Sequence, residues 1–283
     1  MFRRSIVAAL ICACATVSIR AQWVKYPAPG IPRLKDGTPN LSAPTPRGAN
    51  GRPDLSGIWS TESTPLAEME RLFPFLNAFA VPGDDPLTFH KYFLNIFAGV
   101  SPEDVPFRPA AAQVFKSRFD KGPTREDPTA TCRPAGIPMG DLLPLPRRLI
   151  QVPGLVVVLY EGINPQRLIY TDGRKLPVDP QPAWMGYSVG RWDGDVFVVE
   201  SNGFSEKSWL DGSGHPRSDA MRLTERLHRR DFGHMDVDVT IDDPGSYTRP
   251  FSIRYTQVLV PDTDILEYIC NENEKDRSHL PGQ

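Results

Sequence analysis

The sequence predicts a mainly β protein, an antiparallel barrel or sandwich with a helical insertion after its first strand. From Arg148 onward the apolar residues recur with a period of two, in runs of strand length. Turn formers such as Pro153-Gly154, Asp172-Gly173, Asp193-Gly194 and Asp243-Pro244-Gly245 separate these runs, which is the spacing of hairpins. Proline, frequent up to Pro182, becomes sparse beyond Ala183, where uninterrupted ladders need every backbone N–H.

The elements follow in order. Arg3 and Arg4 precede an apolar run from Ile6 to Val17 and a small-residue segment ending at Ala21, the pattern of a secretory signal peptide over residues 1–21. The run is too short to span a bilayer. A lipoprotein cleavage site at Ile11-Cys12-Ala13-Cys14 is the alternative. Either reading places the mature chain in the periplasm or outside the cell. Residues 22–53 are rich in proline and glycine and poor in apolar side chains, an irregular arm that wraps the domain or stays mobile.

The domain itself is expected over residues 54–273, with 274–283 as a tail. Asp54 to Ser60 feeds the first strand. Residues 64–97 read as helical, with Leu66, Met69, Leu72 and Phe73 on one face, and Pro109–Phe119 as the best single helix, burying Val114, Phe115 and Phe119. Together they form a helical insertion over about residues 64–120, too long for an ordinary loop. Strands are then expected at 148–152, 155–161, 166–171, 186–192, 195–201, 221–230, 234–241, 251–259 and 265–270.

Composition narrows the function classes. A formal net charge of −2 over 283 residues gives no field to attract nucleic acid. Removing the leader removes Cys12 and Cys14 and leaves Cys132 and Cys270, which in an oxidising compartment implies one disulfide or two separately buried thiols. His90, His215, His228, His234 and His279 show no metal-ligand spacing, so no metal or other cofactor is expected.

An ordered series of motifs carries a resemblance. Pro53-Asp54-Leu55-Ser56-Gly57-Ile58-Trp59, Cys132-Arg133-Pro134-Ala135-Gly136-Ile137-Pro138, Ile169-Tyr170-Thr171-Asp172-Gly173-Arg174, Gly186 to Asp195, Thr224-Glu225-Arg226 and Thr240 to Pro244 resemble a family of exported bacterial proteins. That family has no established activity, so the resemblance implies a compartment and no reaction. Members often carry His-Pro after the Asp-Gly-Arg, where this chain has Lys175-Leu176-Pro177. Gly57-Ile58-Trp59 is also similar to the Gly-x-Trp that opens lipocalin-like barrels, which implies a fold and no function.

Candidate site residues come from the charged strands and their loops. In Arg222 to Arg229, Leu223, Glu225, Leu227 and Arg229 share one face, so Glu225 points inward among apolar side chains if that face is buried. Its pKa would then rise unless an arginine pairs with it. With His215 in a glycine-rich loop and Asp172 in its turn, Glu225 forms a candidate acid and base set. Arg174, Arg191 and Arg226 are candidates to hold an anionic group, and Tyr187, Trp184 and Trp209 to stack on a flat ligand. Gly186-Tyr187-Ser188-Val189-Gly190 has the letters of a nucleophile elbow but no helix after it. Three readings remain: a small-molecule pocket at the barrel mouth, an acid–base enzyme (hydrolase, lyase or isomerase), and an envelope interaction module using its charged strands.

Overall fold

Alternation with a period of two, carried from Arg147 to Leu259, becomes a closed ring of strands. The computed structural model describes residues 27–74, 89–121, 126–162 and 165–270. The expected signal peptide and the tail at 274–283 lie outside the described residues. The strands are β1 (Gly57–Thr61), β2 (Arg147–Val152), β3 (Leu155–Tyr160), β4 (Arg167–Tyr170), β5 (Tyr187–Asp193), β6 (Val196–Asn202), β7 (Arg222–Arg229), β8 (His234–Asp242) and β9 (Phe251–Leu259). They form a barrel in sequence order, closed by β1 against β9.

A ring in which all neighbours are antiparallel needs an even number of strands. With nine described strands one pair must be parallel, and it is β4 with β5, in register Ile169↔Ser188. Parallel neighbours cannot be joined by a hairpin. This corrects the expectation at Asp172-Gly173: Gly173 takes a positive φ of 86°, but the chain runs on through residues 174–186 before β5 begins. Asp193-Gly194 does close a hairpin, with Asp193 facing Val196 and Gly194 at φ 61°.

The inward faces supply the core. Leu149, Val156, Val158, Ile169, Phe197, Val199, Leu223, Leu227, Val237, Val239, Ile253 and Leu259 are all buried in one cluster with Trp59. Gly190 leaves space for the Phe197 ring across the β5–β6 pair, since a Cβ there would collide with the ring edge. Outside, β7–β9 carry the charges. Arg226 sits opposite Asp238 in register but pairs with Asp193 at 3.0 Å, while Arg254 takes Asp238. The outer wall of β2–β4 is apolar instead, with Ile150, Val157 and Leu168 side by side.

The described part of the insertion is less helical than the sequence suggests. Among the described residues it holds α1 (Leu66–Leu72), α2 (Lys91–Leu94) and α3 (Pro109–Lys121), with residues 75–88 not described, and α4 (Met139–Leu142) follows it before β2. The stripe expected on α3 is buried only in part: Phe115 is half-buried against His215 and Phe107, while Val114 is 40% and Phe119 64% exposed, and Ala111 is the fully buried residue. The last expected strand, 265–270, is absent. Its place is taken by an irregular segment pinned by Arg148–Asp264 at 2.7 Å, by Leu266 N donating to Glu161 at 3.0 Å, and by the Cys132–Cys270 disulfide. No described helix is long and apolar enough to cross a membrane.

Residues 27–56 lie along one end of the barrel. Phe232 N donates to Ala43 O and Gly233 N to Leu41 O, both at 2.7 Å. Arg33 and Arg47 reach Asp262 (2.5 Å) and Asp195 (2.6 Å). Ladder-like hydrogen bonds and ion pairs thus hold the segment together with a few apolar contacts, Ala43 and Leu55 in the core and Ile31 and Leu41 packed against it.

Candidate functional site

The strand parity read from β7 holds: Leu223, Glu225, Leu227 and Arg229 are all buried. Glu225, 4% exposed, meets Arg167 of β4 through two parallel contacts, Nη1 to Oε1 at 3.2 Å and Nη2 to Oε2. Arg167 also donates from Nε to Ser188 Oγ and from Nη2 to Ser201 Oγ, each at 3.1 Å. Those two serines face each other across the β5–β6 ladder, with hydroxyls 2.8 Å apart.

The network extends to α4. Asp141 lies 3.7 Å from both Arg167 Nη1 and Arg147 Nε and accepts from Tyr160 Oη at 2.9 Å. Arg147 donates to Asp141 O at 2.9 Å and to Thr61 Oγ1 at 3.1 Å. Two guanidiniums and two carboxylates therefore balance inside the barrel, with their remaining donors on hydroxyls and carbonyls. Burial alone would lower the Arg167 pKa; the charge and hydrogen bonds of Glu225, with Tyr160 and Asp141, outweigh it and hold the group raised. Burial and then Asp141 push the Tyr160 phenol up.

This network is a packed layer. The space beside it amounts to about 20 Å³, bounded by Leu55, Val156, Phe197, Leu227 and Gln257 among others. That is too small for anything larger than a water molecule.

The other candidates lie elsewhere. His215 is buried, with Nδ1 2.6 Å from Asp211 Oδ2 and its ring stacked on Phe115 at 4.1 Å. Asp211 also accepts from the backbone N–H groups of Ile96, Ser213 and His215, so it ties two loops to this imidazole. Asp172 is on the surface, clasping Arg174, which lies 3.8 Å over the Tyr170 ring and donates to Tyr187 Oη at 3.1 Å. Glu225, His215 and Asp172 thus each have a different partner and share no hydrogen bond.

Of the ligand candidates, Arg174 and Tyr187 come together, whereas Arg191 sits with Glu200 at 3.6 Å and Arg226 with Asp193. Trp209 is buried with Arg118 over its ring. Trp184 is half-buried, and its carbonyl accepts from Arg217 at 3.1 Å. Arg217 also donates to Ile137 O and Ser205 O. Burial lowers its pKa to about 9, still above neutrality. A Cβ at Gly136 would lie 2.7 Å from Ser208 Oγ and 2.8 Å from Trp184 O, so this glycine lets the 132–138 segment approach.

The larger space lies at the end of the barrel crossed by the N-terminal segment. Residues 48–56 and the β2–β3 turn enclose a cleft of about 560 Å³, whose lining includes the inward-facing Val156 and Trp192. Val156 also borders the inner 20 Å³ space, so it separates the mouth from the ionic layer. Asn50, Asp54, Gln151 and Thr171 contribute polar groups. On the far flank of Asp54 and Ser56 a second cleft of about 500 Å³ is lined by Ile58, Arg148, Arg229, Phe232 and Leu259. Its cations are engaged: Arg148 by Asp264, and Arg229 by the carbonyls of Asp54, Asp231 and Phe232.

Sequence reasoning missed Arg167, Asp141 and Arg147, and the mouth residues Asn50, Asp54, Gln151 and Trp192 as site residues. Arg167 was within reach, since it shares an inward face with Ile169 just as Glu225 does with Leu223. Among the described residues no group of three or more His, Cys, Asp or Glu is placed to hold a metal ion. No protein-family model, curated protein or solved structure matches the chain.

Proposed function

We propose that this is an exported binding protein that takes a small polar molecule at the barrel mouth, between residues 48–56 and the β2–β3 turn. One observation carries the reading. The mouth cleft of about 560 Å³ is of ligand size, and its Asn50 and Gln151 side chains bond only through their oxygens to partners among the described residues, whereas the barrel interior leaves about 20 Å³. The leader pattern at residues 1–21 and the Cys132–Cys270 disulfide support export.

The reading is tested by native mass spectrometry of the protein purified from the periplasm or medium, with hydrogen exchange on any ligand-bound form. Retained mass together with slowed exchange at residues 48–56 and 151–154 is expected. Protection confined to the flank cleft beside Phe232 and Leu259 would overturn it.

A further inference from the structure

We infer that the mouth cleft binds a saccharide, an inference that rests on the cleft being the binding site. A sugar ring presents an apolar C–H face and a rim of hydroxyls that both donate and accept. A site for it needs an aromatic surface, fixed donors and acceptors beside it, and no unpaired cation.

The cleft has these parts. Trp192 lines it while packing against Phe197, with ring centroids 5.1 Å apart, so the indole is held from behind. The polar groups are oriented by bonds made at their other ends. Asn50 Oδ1 accepts from Arg52 N at 3.0 Å, Gln151 Oε1 from Leu55 N at 3.1 Å, and Asp54 Oδ1 from Ser56 N at 2.9 Å. The oxygen of each amide is thereby fixed, and its NH₂ remains as a donor, with Asp54 Oδ2 as an acceptor and the Thr171 hydroxyl as either. Fixing these groups before binding removes part of the ordering cost of association.

The lining also argues against other ligand classes. Among the described residues no Lys, Arg or His lines the cleft and Asp54 is its one charged residue, so an anion finds no counter-charge there. An acyl chain would bury the Asn50 and Gln151 amide donors without partners, an unfavourable desolvation for each group. An uncharged polyol with one apolar face satisfies both constraints.

The test is side-chain amide and indole NMR of the full exported chain titrated with glucose, N-acetylglucosamine and maltotriose at millimolar concentrations. At least one saccharide should move the Trp192 indole and the Asn50 and Gln151 NH₂ signals. Asn50→Asp and Gln151→Glu keep the oxygen that accepts from the backbone and replace the free NH₂ donor with a charged acceptor. Each is expected to weaken that saccharide about tenfold with an unchanged Tm, the size of one lost hydrogen bond. Trp192→Phe is expected to weaken it further, and the two polar variants keep the test independent of any folding defect there. If phosphate or benzoate moves these signals and no saccharide does, the class is wrong and the site stands. If no probe moves them, or saccharide shifts fall on the Phe232 cleft, both readings fail.

Discussion

Arg167 and Glu225 form a two-point ion pair across the barrel, from β4 and β7, strands with two others between them in the ring. Both are about 4% exposed, so neither charge can turn to water if the other is removed. Breaking one half of such a pair costs about 3–5 kcal/mol, while replacing both halves by apolar groups is often neutral. Glu225→Leu and Arg167→Met are each expected to lower the urea midpoint strongly. The double variant Arg167→Met/Glu225→Leu is expected to recover much of that loss, as read by chemical unfolding in a double-mutant cycle. Additive losses would show that the two side chains act separately.

Gly190 faces the Phe197 ring, and an added Cβ would collide with it. Overpacking of this kind costs about 1–3 kcal/mol. Gly190→Ala is expected to lower Tm, and combining it with Phe197→Leu should return part of the loss, because the collision is with the ring. Equal loss in both backgrounds would locate the strain in the β5 backbone instead.

The Cys132–Cys270 bridge closes a separation of 138 residues. In the chain-entropy model a loop of that size contributes about 5 kcal/mol. The paired substitution Cys132→Ser/Cys270→Ser is expected to reduce the free energy of unfolding by up to that amount. It should also raise hydrogen exchange over 264–270, where Asp264 and Leu266 would keep only Arg148 and Glu161 as ties.

Much of this architecture is legible in the sequence because it is local. The hairpins follow from Pro153-Gly154 and Asp193-Gly194, and the inward turn of Glu225 follows from its place between Leu223 and Leu227. The unread parts depend on contacts distant in sequence. Asp141 enters the ionic layer only because α4 folds over Arg147, and the mouth cleft exists only where residues 48–56 cross the β2–β3 turn. The parallel β4–β5 pair is forced by ring closure with an odd number of strands, and local turn chemistry at Asp172-Gly173 pointed the other way. The apolar residues of α3 gave the same stripe a buried helix would, but the helix lies outside the barrel with Phe119 uncovered.

His90 gives the stability a pH dependence of defined sign. Burial first, then the neighbouring Lys91, lower its pKa from 6.5 to about 4, and its Nδ1 accepts from Tyr92 N at 3.2 Å at the start of α2. The folded state thus holds the imidazole neutral, while the unfolded chain takes up a proton below about pH 6.5. Above that pH both states are neutral and the contribution is complete. Between about 6.5 and 4 the unfolded state binds more protons and stability falls with pH; below about 4 both are protonated and the loss levels off. The full loss is about 3 kcal/mol, from 1.36 kcal/mol for each pKa unit. His90→Asn retains an acceptor for Tyr92 N and cannot titrate. It is expected to flatten the fall in urea-unfolding free energy between pH 6.5 and 4 relative to the natural chain. An unchanged slope would assign that pH dependence to other groups.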